Sequence, residues 1–220
     1  MHYKLDGYEI HSENAAKPAK QASTYLKTLL TELVPNGGCV LDYGCGKLRY
    51  ASLLAQTSSK LLLVDSEVQL SRKQVVIDQE STVRDYVAKN WPHARTLNDR
   101  EFKSDRTKFD FVLCANVLSA IPHKRRRIAV VRLIAERLHR RGQSLFVCQH
   151  TNSYFCAAMA DESVKKFGDG FIKGEKDNAS FYGIIRPTDL RNIVLSAGLL
   201  ISRSWVHDQS GYVIAHQDRR

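Results

Sequence analysis

Hydrophobic positions in this chain switch between helical spacing and short unbroken runs. Ala22, Tyr25, Leu26, Leu29, Leu30 and Leu33 recur every three or four residues, which predicts a helix over 22–34, stopped by Pro35-Asn36-Gly37-Gly38. The apolar run Cys39–Leu41 predicts a first strand, and 50–56 the helix after it. Leu61–Val64 is continuously apolar, as expected of a parallel strand covered on both faces. Val68, Val75, Val76, Val83 and Val87 predict a long helix over 67–89, broken at Trp91-Pro92. Residues 94–97 predict a short third strand, 100–108 a charged loop, and Phe109–Ala115 a fourth strand. Ile128, Val131, Ile134, Ala135 and Leu138 form a helical stripe within 123–141, ended by Gly142, and 144–148 is a fifth strand. The pattern loosens over 151–186. A helix then runs from Pro187 to Ala197-Gly198, and two strands, 199–205 and 211–215, are joined by His207-Asp208-Gln209-Ser210. Residues 1–20 are polar and mixed, with several possible starts, and the tail 217–220 is expected to fray.

Strands alternating with helices predict an α/β fold. The expected form has three layers and a mostly parallel seven-stranded sheet, with an antiparallel C-terminal hairpin. The expected organisation is an N-terminal helical segment over 1–38 and one domain over 39–220, with an insert near 151–187.

Within that order, Val40-Leu41-Asp42-Tyr43-Gly44-Cys45-Gly46-Lys47 reads as strand, turn and helix start. Glycines without Cβ let backbone approach a ligand, and the following helix is expected to offer free N–H groups to it. The dinucleotide pattern G-x-G-x-x-G fails, because its third glycine falls on Arg49. Asp42 repels a pyrophosphate but suits a ligand bearing a sulfonium and an ammonium. Asp65 ends the second strand, 23 residues after Asp42, and a carboxylate there can accept from both hydroxyls of a ribose. The alternative use is helix capping, by Asp65 or by Ser66.

The stretch 40–48 resembles motif I of the class I S-adenosylmethionine-dependent methyltransferases, D/E-x-G-x-G-x-G. Asp42, Gly44 and Gly46 match. Its last glycine falls on Leu48, which fits if its φ stays negative. Phe109–Ile121 resembles motif IV and its sequel, and 186–201 resembles the family's closing helix and turn. The resemblance spans about Cys39–Ala215 and implies a Rossmann-like sandwich with S-adenosylmethionine as cofactor. It implies Asp42 toward the ammonium, backbone of Tyr43, Gly44, Cys45 and Gly46 along the methionine part, and Asp65 with Ser66 at the ribose. It also implies Asn98 or Asp99 near the adenine amine, with Asn116 and Val117 beside the transferable methyl. Asn116 is equally readable as a turn asparagine bonding backbone. His150, just past the fifth strand, is a candidate general base, or a histidine that only packs and hydrogen-bonds. The aromatic, glycine-hinged insert reads as a substrate lid or as a mobile surface loop.

Two nucleic-acid chemistries lose support. Asn116-Val117-Leu118-Ser119 stands where amino-methylating enzymes carry Asn/Asp-Pro-Pro-aromatic, and none of the five cysteines follows a proline. The net charge of +10 still permits a nucleic-acid partner. Lys124-Arg125-Arg126-Arg127 and His139-Arg140-Arg141 give the helix over 123–141 cationic ends, suited to tracking phosphates or simply to solvation. The five cysteines lack C-x-x-C spacing and read as buried thiols of a reducing compartment, not a zinc site. No apolar run approaches about eighteen residues, and no secretory leader is visible. The expectation is a cytoplasmic methyltransferase without metal or membrane partner, its oligomeric state open, acting on an unidentified acceptor, with a small molecule favoured. The competing readings are a nucleic-acid methyltransferase using the basic helix and an inactive binding protein that keeps the fold. A nicotinamide-dependent oxidoreductase is disfavoured by Asp42 and Arg49.

Overall fold

Asp6 and Gly7 both take positive φ, 47° and 83°, and turn the chain sharply between β1 (His2–Leu5) and β2 (Tyr8–His11). This is the chemistry of a two-residue hairpin turn, and it gives strands to a segment expected to be helical. The structure is a computed structural model that describes residues 2–218. The last two residues of the tail expected to fray lie outside the described residues.

The elements that follow are α1 (Thr24–Leu33), β3 (Cys39–Tyr43), α2 (Ala51–Thr57), β4 (Lys60–Asp65), α3 (Glu67–Ser71), β5 (Gln74–Val76), β6 (Gln79–Ser81) and α4 (Val83–Asn90). Then come β7 (Ala94–Asn98), α5 (Asp99–Ser104), β8 (Phe109–Ala115), α6 (Lys124–Arg137), β9 (Leu138–Gln149), α7 (Ser153–Ala160), β10 (Lys165–Phe167), β11 (Gly170–Glu175), β12 (Asn178–Gly183), α8 (Pro187–Ser196), β13 (Leu199–His207) and β14 (Ser210–Gln217). Gln217 is thus held in a strand, where its side chain donates to the Ala135 carbonyl.

The main sheet has seven strands in the order β13-β14-β9-β8-β3-β4-β7. β3 runs parallel to β4 and β8, β4 runs parallel to β7, and β13 pairs antiparallel with β14. A second sheet of five strands, β1-β2-β12-β11-β10, joins the N-terminal hairpin to the insert, with Ala179 opposite Ile10. The chain divides into two units. One comprises residues 16–113 and 137–143, the other residues 1–15, 114–136 and 144–220. In the first unit Val40, Leu41 and Leu61–Val64 are fully buried, which explains their unbroken apolar runs. In the second, the 151–187 insert is ordered as α7 and three strands, with Phe155, Phe171 and Ala158 packed together.

Three predicted elements differ. The long helix over 67–89 is two helices separated by the β5–β6 hairpin. Val76 is buried while Val75 is 59% exposed, and Ile77 turns the chain with φ 57°. The two valines alternate across a strand, a period that overlaps the helical one over so few residues. The charged 100–108 stretch contains α5, fixed by a reciprocal Asn98–Glu101 capping box and by burial of Phe102. The basic helix ends at Arg137, so His139, Arg140 and Arg141 lie in β9 and give it no cationic end. Gly142 is part of that strand, where a Cβ would collide with the Phe109 carbonyl oxygen. Among the cysteines, Cys45, Cys114 and Cys148 are buried, Cys39 is half-buried and Cys156 is exposed. No helix among the described residues is long and apolar enough to cross a membrane.

Candidate functional site

The ends of β3 and β4 in the first unit carry the glycine turn. Gly44, Gly46 and Leu48 all have positive φ, 80°, 55° and 61°. The Gly44 and Cys45 N–H groups donate to the Val64 carbonyl at 2.7 and 3.1 Å. The Gly46 N–H donates to Asp65 Oδ2 at 2.8 Å, and the Ser66 N–H to Asp65 Oδ1 at 2.7 Å. The turn therefore spends these amides on β4, so any N–H groups offered to a ligand come from the helix behind it and not from the turn. What the site presents is carboxylate: Asp42, 4% exposed, and Asp65, which has lone pairs left on both oxygens. Carboxylates beside turn amides that are already bonded fit a cationic ligand with hydroxyls better than a phosphate.

Electrostatics carry the same message. Burial pushes Asp42 up to about 7, the charge of Asp65 adding to the rise and Arg49 opposing it. Burial also pushes Asp65 up to about 6, against the pull of the Gly46 and Ser66 N–H groups. Two carboxyls so poised gain from a neighbouring positive charge.

This sets a pH dependence. The Asp42 carboxyl titrates near 3.8 when unfolded and near 7 when folded, so its contribution to stability is fully present below the unfolded value and lost as pH rises through about 7. The ligand-free protein is expected to melt at a higher temperature at pH about 5.5 than at about 7.5, with Asp42→Asn flattening that slope. A cationic ligand reverses the trend, since it needs the ionised form. Its affinity should fall with acidification, nearing tenfold per pH unit once pH drops below about 7 and steepening below about 6, where Asp65 must also lose a proton. Calorimetric titration across that range checks both signs.

Leu48 corrects the expectation of a negative φ. Its left-handed backbone costs about 1–2 kcal/mol, yet its side chain is only 1% exposed. Leu48→Gly relieves the strain but empties a core position worth about 2–5 kcal/mol. The variant is expected to be destabilised by about 1–3 kcal/mol net, read from its denaturant midpoint. Burial outweighs backbone strain, which is why a leucine is tolerated here.

The remaining predicted residues divide by use. Tyr43 packs its ring 5.6 Å from that of Phe102, and Cys45 is buried with its thiol pushed well up by burial, so neither side chain is offered to a ligand. Ser66 caps α3, its side chain accepting from the Gln69 N–H, which leaves Asp65 uncommitted to capping. Asn98 is consumed by its capping box and by donation to Glu67 at 2.8 Å. Asp99 opens α5 and is pushed up by burial.

In the second unit, Asn116 is left-handed at φ 60°, and its N–H donates to the Val147 carbonyl at 2.7 Å. Its Oδ1 accepts from the Gln149 N–H at 2.9 Å, which leaves the amide nitrogen and one oxygen lone pair for a ligand. Val117 is half-buried and precedes a short 3-10 turn, Leu118–Ala120. His150 donates its backbone N–H to Gln209, and its ring Nδ1 is buried without a partner. Gln69 was missed. It is fully buried, and its side-chain amide donates to the Gly46 carbonyl at 2.9 Å. A polar residue on a short helix carries no hydrophobic-pattern signal.

A parallel α/β sheet with acids closing two adjacent strands around a glycine turn defines a nucleoside-cofactor enzyme. A family model described as a methyltransferase domain matches residues 18–201. The chain is 34% identical over 213 residues to the uncharacterised protein YmfD of Escherichia coli K12, covering 97% of this chain and 95% of that one. Two solved structures share the fold. An S-adenosylmethionine-dependent methyltransferase from Clostridium acetobutylicum has a TM-score of 0.65 and 15% identity, covering 93% of this chain and 94% of that one. The 1,6-didemethyltoxoflavin-N1-methyltransferase of Burkholderia thailandensis has a TM-score of 0.59 and 14% identity, covering 89% and 78%. The chain belongs to the class I S-adenosylmethionine-dependent methyltransferase family.

Proposed function

We propose that the chain methylates a small-molecule acceptor, with the carboxylates of the glycine turn holding the donor. The observation that carries the donor assignment is the inward-bonded turn, which leaves Asp42 and Asp65 as its free acceptors. Asp42 then answers the ammonium, Asp65 accepts from the ribose hydroxyls, and backbone at Tyr43, Gly44, Cys45 and Gly46 lines the methionine part. S-adenosylmethionine supplies an activated methyl group, so the acceptor atom gains a bond to carbon as the carbon–sulfur bond breaks. The protein's own work is alignment, exclusion of water and, where the acceptor carries a proton, its removal. His150 is the base proposed for that removal, and Asn116, Val117, Ser66 and Asp99 are proposed contacts.

Two features support a small acceptor over nucleic acid. The cationic run is smaller than it reads, because Arg127 is 1% exposed and bonded to both carboxylate oxygens of Asp169, which leaves only Lys124, Arg125 and Arg126 exposed. The insert also contributes to a pocket of about 440 Å³ lined by Tyr8, Tyr154, Phe171 and Ile172 among others, within the range of small-molecule sites.

The test supplies methyl-labelled donor to wild type and His150→Gln, with a low-molecular-weight cell extract or total nucleic acid as acceptor. Label entering the small-molecule fraction is the expected result, with His150→Gln slower at unchanged donor affinity. Label entering nucleic acid, with a yield that falls steeply as salt rises, would falsify the acceptor assignment.

A further inference from the structure

Gly46 is tied on both sides of its Cα. Its N–H donates to Asp65 Oδ2 at 2.8 Å, and its carbonyl accepts from Gln69 Nε2 at 2.9 Å. The N–H lies in the Cys45–Gly46 peptide and the carbonyl in the Gly46–Lys47 peptide, so the two bonds orient the planes flanking a residue whose positive φ and missing side chain leave its torsions otherwise free. Gln69 is itself fixed. Its Nε2 also donates to Gln74 Oε1 at 3.2 Å, its carbonyl accepts from Gln74 Nε2 at 2.9 Å, and its Oε1 accepts from Arg72. Both amide protons of a fully buried side chain are thereby used. Gln74 opens the β5–β6 hairpin, so the hairpin is tied through Gln69 to the glycine turn.

We infer that Gln69 is a positioning residue for S-adenosylmethionine binding: it sets the Gly46–Lys47 peptide as Asp65 sets the Cys45–Gly46 peptide, and the β5–β6 hairpin holds Gln69 in register. The inference rests on the cofactor reading of the turn given above. Physically, a ligand that meets backbone needs that backbone pre-set, because ordering it on binding subtracts from affinity. Gln69→Leu orphans the Gly46 carbonyl. Gln69→Glu keeps the shape but aims a second acceptor at it.

The test is calorimetric titration with S-adenosylmethionine of wild type, Gln69→Leu, Gln69→Glu, Gln74→Leu and Asp65→Asn, with the double variant Asp65→Asn/Gln69→Leu. Each Gln69 variant should bind about tenfold more weakly or worse, and Gln74→Leu should lose affinity in the same direction by less. The double variant should lose less than the product of the two single losses, because either substitution frees the Gly46 torsions that the two bonds fix together. A residue with a merely structural role gives losses that multiply. Should the Gln69 variants fail to fold, Gln74→Leu decides the matter, since its own amide touches Gln69 and not the turn. Folded variants that bind like wild type, or losses that multiply, overturn the clamp and leave the cofactor reading intact. A wild type that does not bind the donor overturns the cofactor reading itself.

Discussion

Asp65→Asn is expected to weaken S-adenosylmethionine binding roughly 10–100-fold, the equivalent of about 1.5–3 kcal/mol for hydrogen bonds to a charged acceptor. The carboxylate has two tasks at once. It accepts the Gly46 and Ser66 N–H groups on separate oxygens, and it keeps lone pairs for a ribose. An amide has one oxygen, so its nitrogen must face one of those two N–H groups, donor against donor. Either the turn at Gly46 or the start of α3 at Ser66 then loses its acceptor, whichever way the amide flips. Calorimetry with the donor measures the loss. Affinity equal to wild type would remove Asp65 from the site.

Asp169→Ala is expected to destabilise the protein by about 3 kcal/mol, the low end for orphaning one member of a buried ion pair. The two partners are unequal. Arg127 is 1% exposed and the Asp169 side chain is 42% exposed. Removing the acid leaves the guanidinium with one bond, from its Nε to the Ile121 carbonyl at 2.7 Å. The figure sits at the low end because both residues border an open pocket of about 580 Å³, through which water can partly replace the lost oxygens. Arg127→Met should cost less, under about 1.5 kcal/mol, since the abandoned carboxylate is already solvated and the methionine fills much of the space. Urea midpoints of the two variants give the ordering, and a larger loss for Arg127→Met would show that packing, not charge, holds this place.

The parallel core was legible because its strands are buried on both faces, and an unbroken run such as Leu61–Val64 has no other common use. The positions of Asp42 and Asp65 at the ends of adjacent strands were legible because each acid follows an unbroken apolar run. The N-terminal hairpin was readable in Asp6-Gly7, flanked by the alternating Tyr3, Leu5, Tyr8 and Ile10, but a single hairpin is easily passed over among polar residues. The β5–β6 hairpin left no such mark. Its turn residue Ile77 is β-branched, a poor left-handed former, and its valines fit a helical window as well. The end of α6 at Arg137 was invisible because Leu138 continues the helical stripe while already belonging to β9. Gln69 and the inward bonding of the turn depend on partners brought together by the fold, which local pattern does not encode.

The pairing of Ile10 with Ala179 also orders events at the ribosome. Leu5 and Ile10 belong to a cluster completed by Ile172, Ala179 and Phe181. At typical elongation rates the first hairpin therefore waits about 10–30 s for its partners to be made. Over that interval its apolar face lacks its native cover, and translation speed between residues 11 and 181 governs how long the nascent chain stays vulnerable.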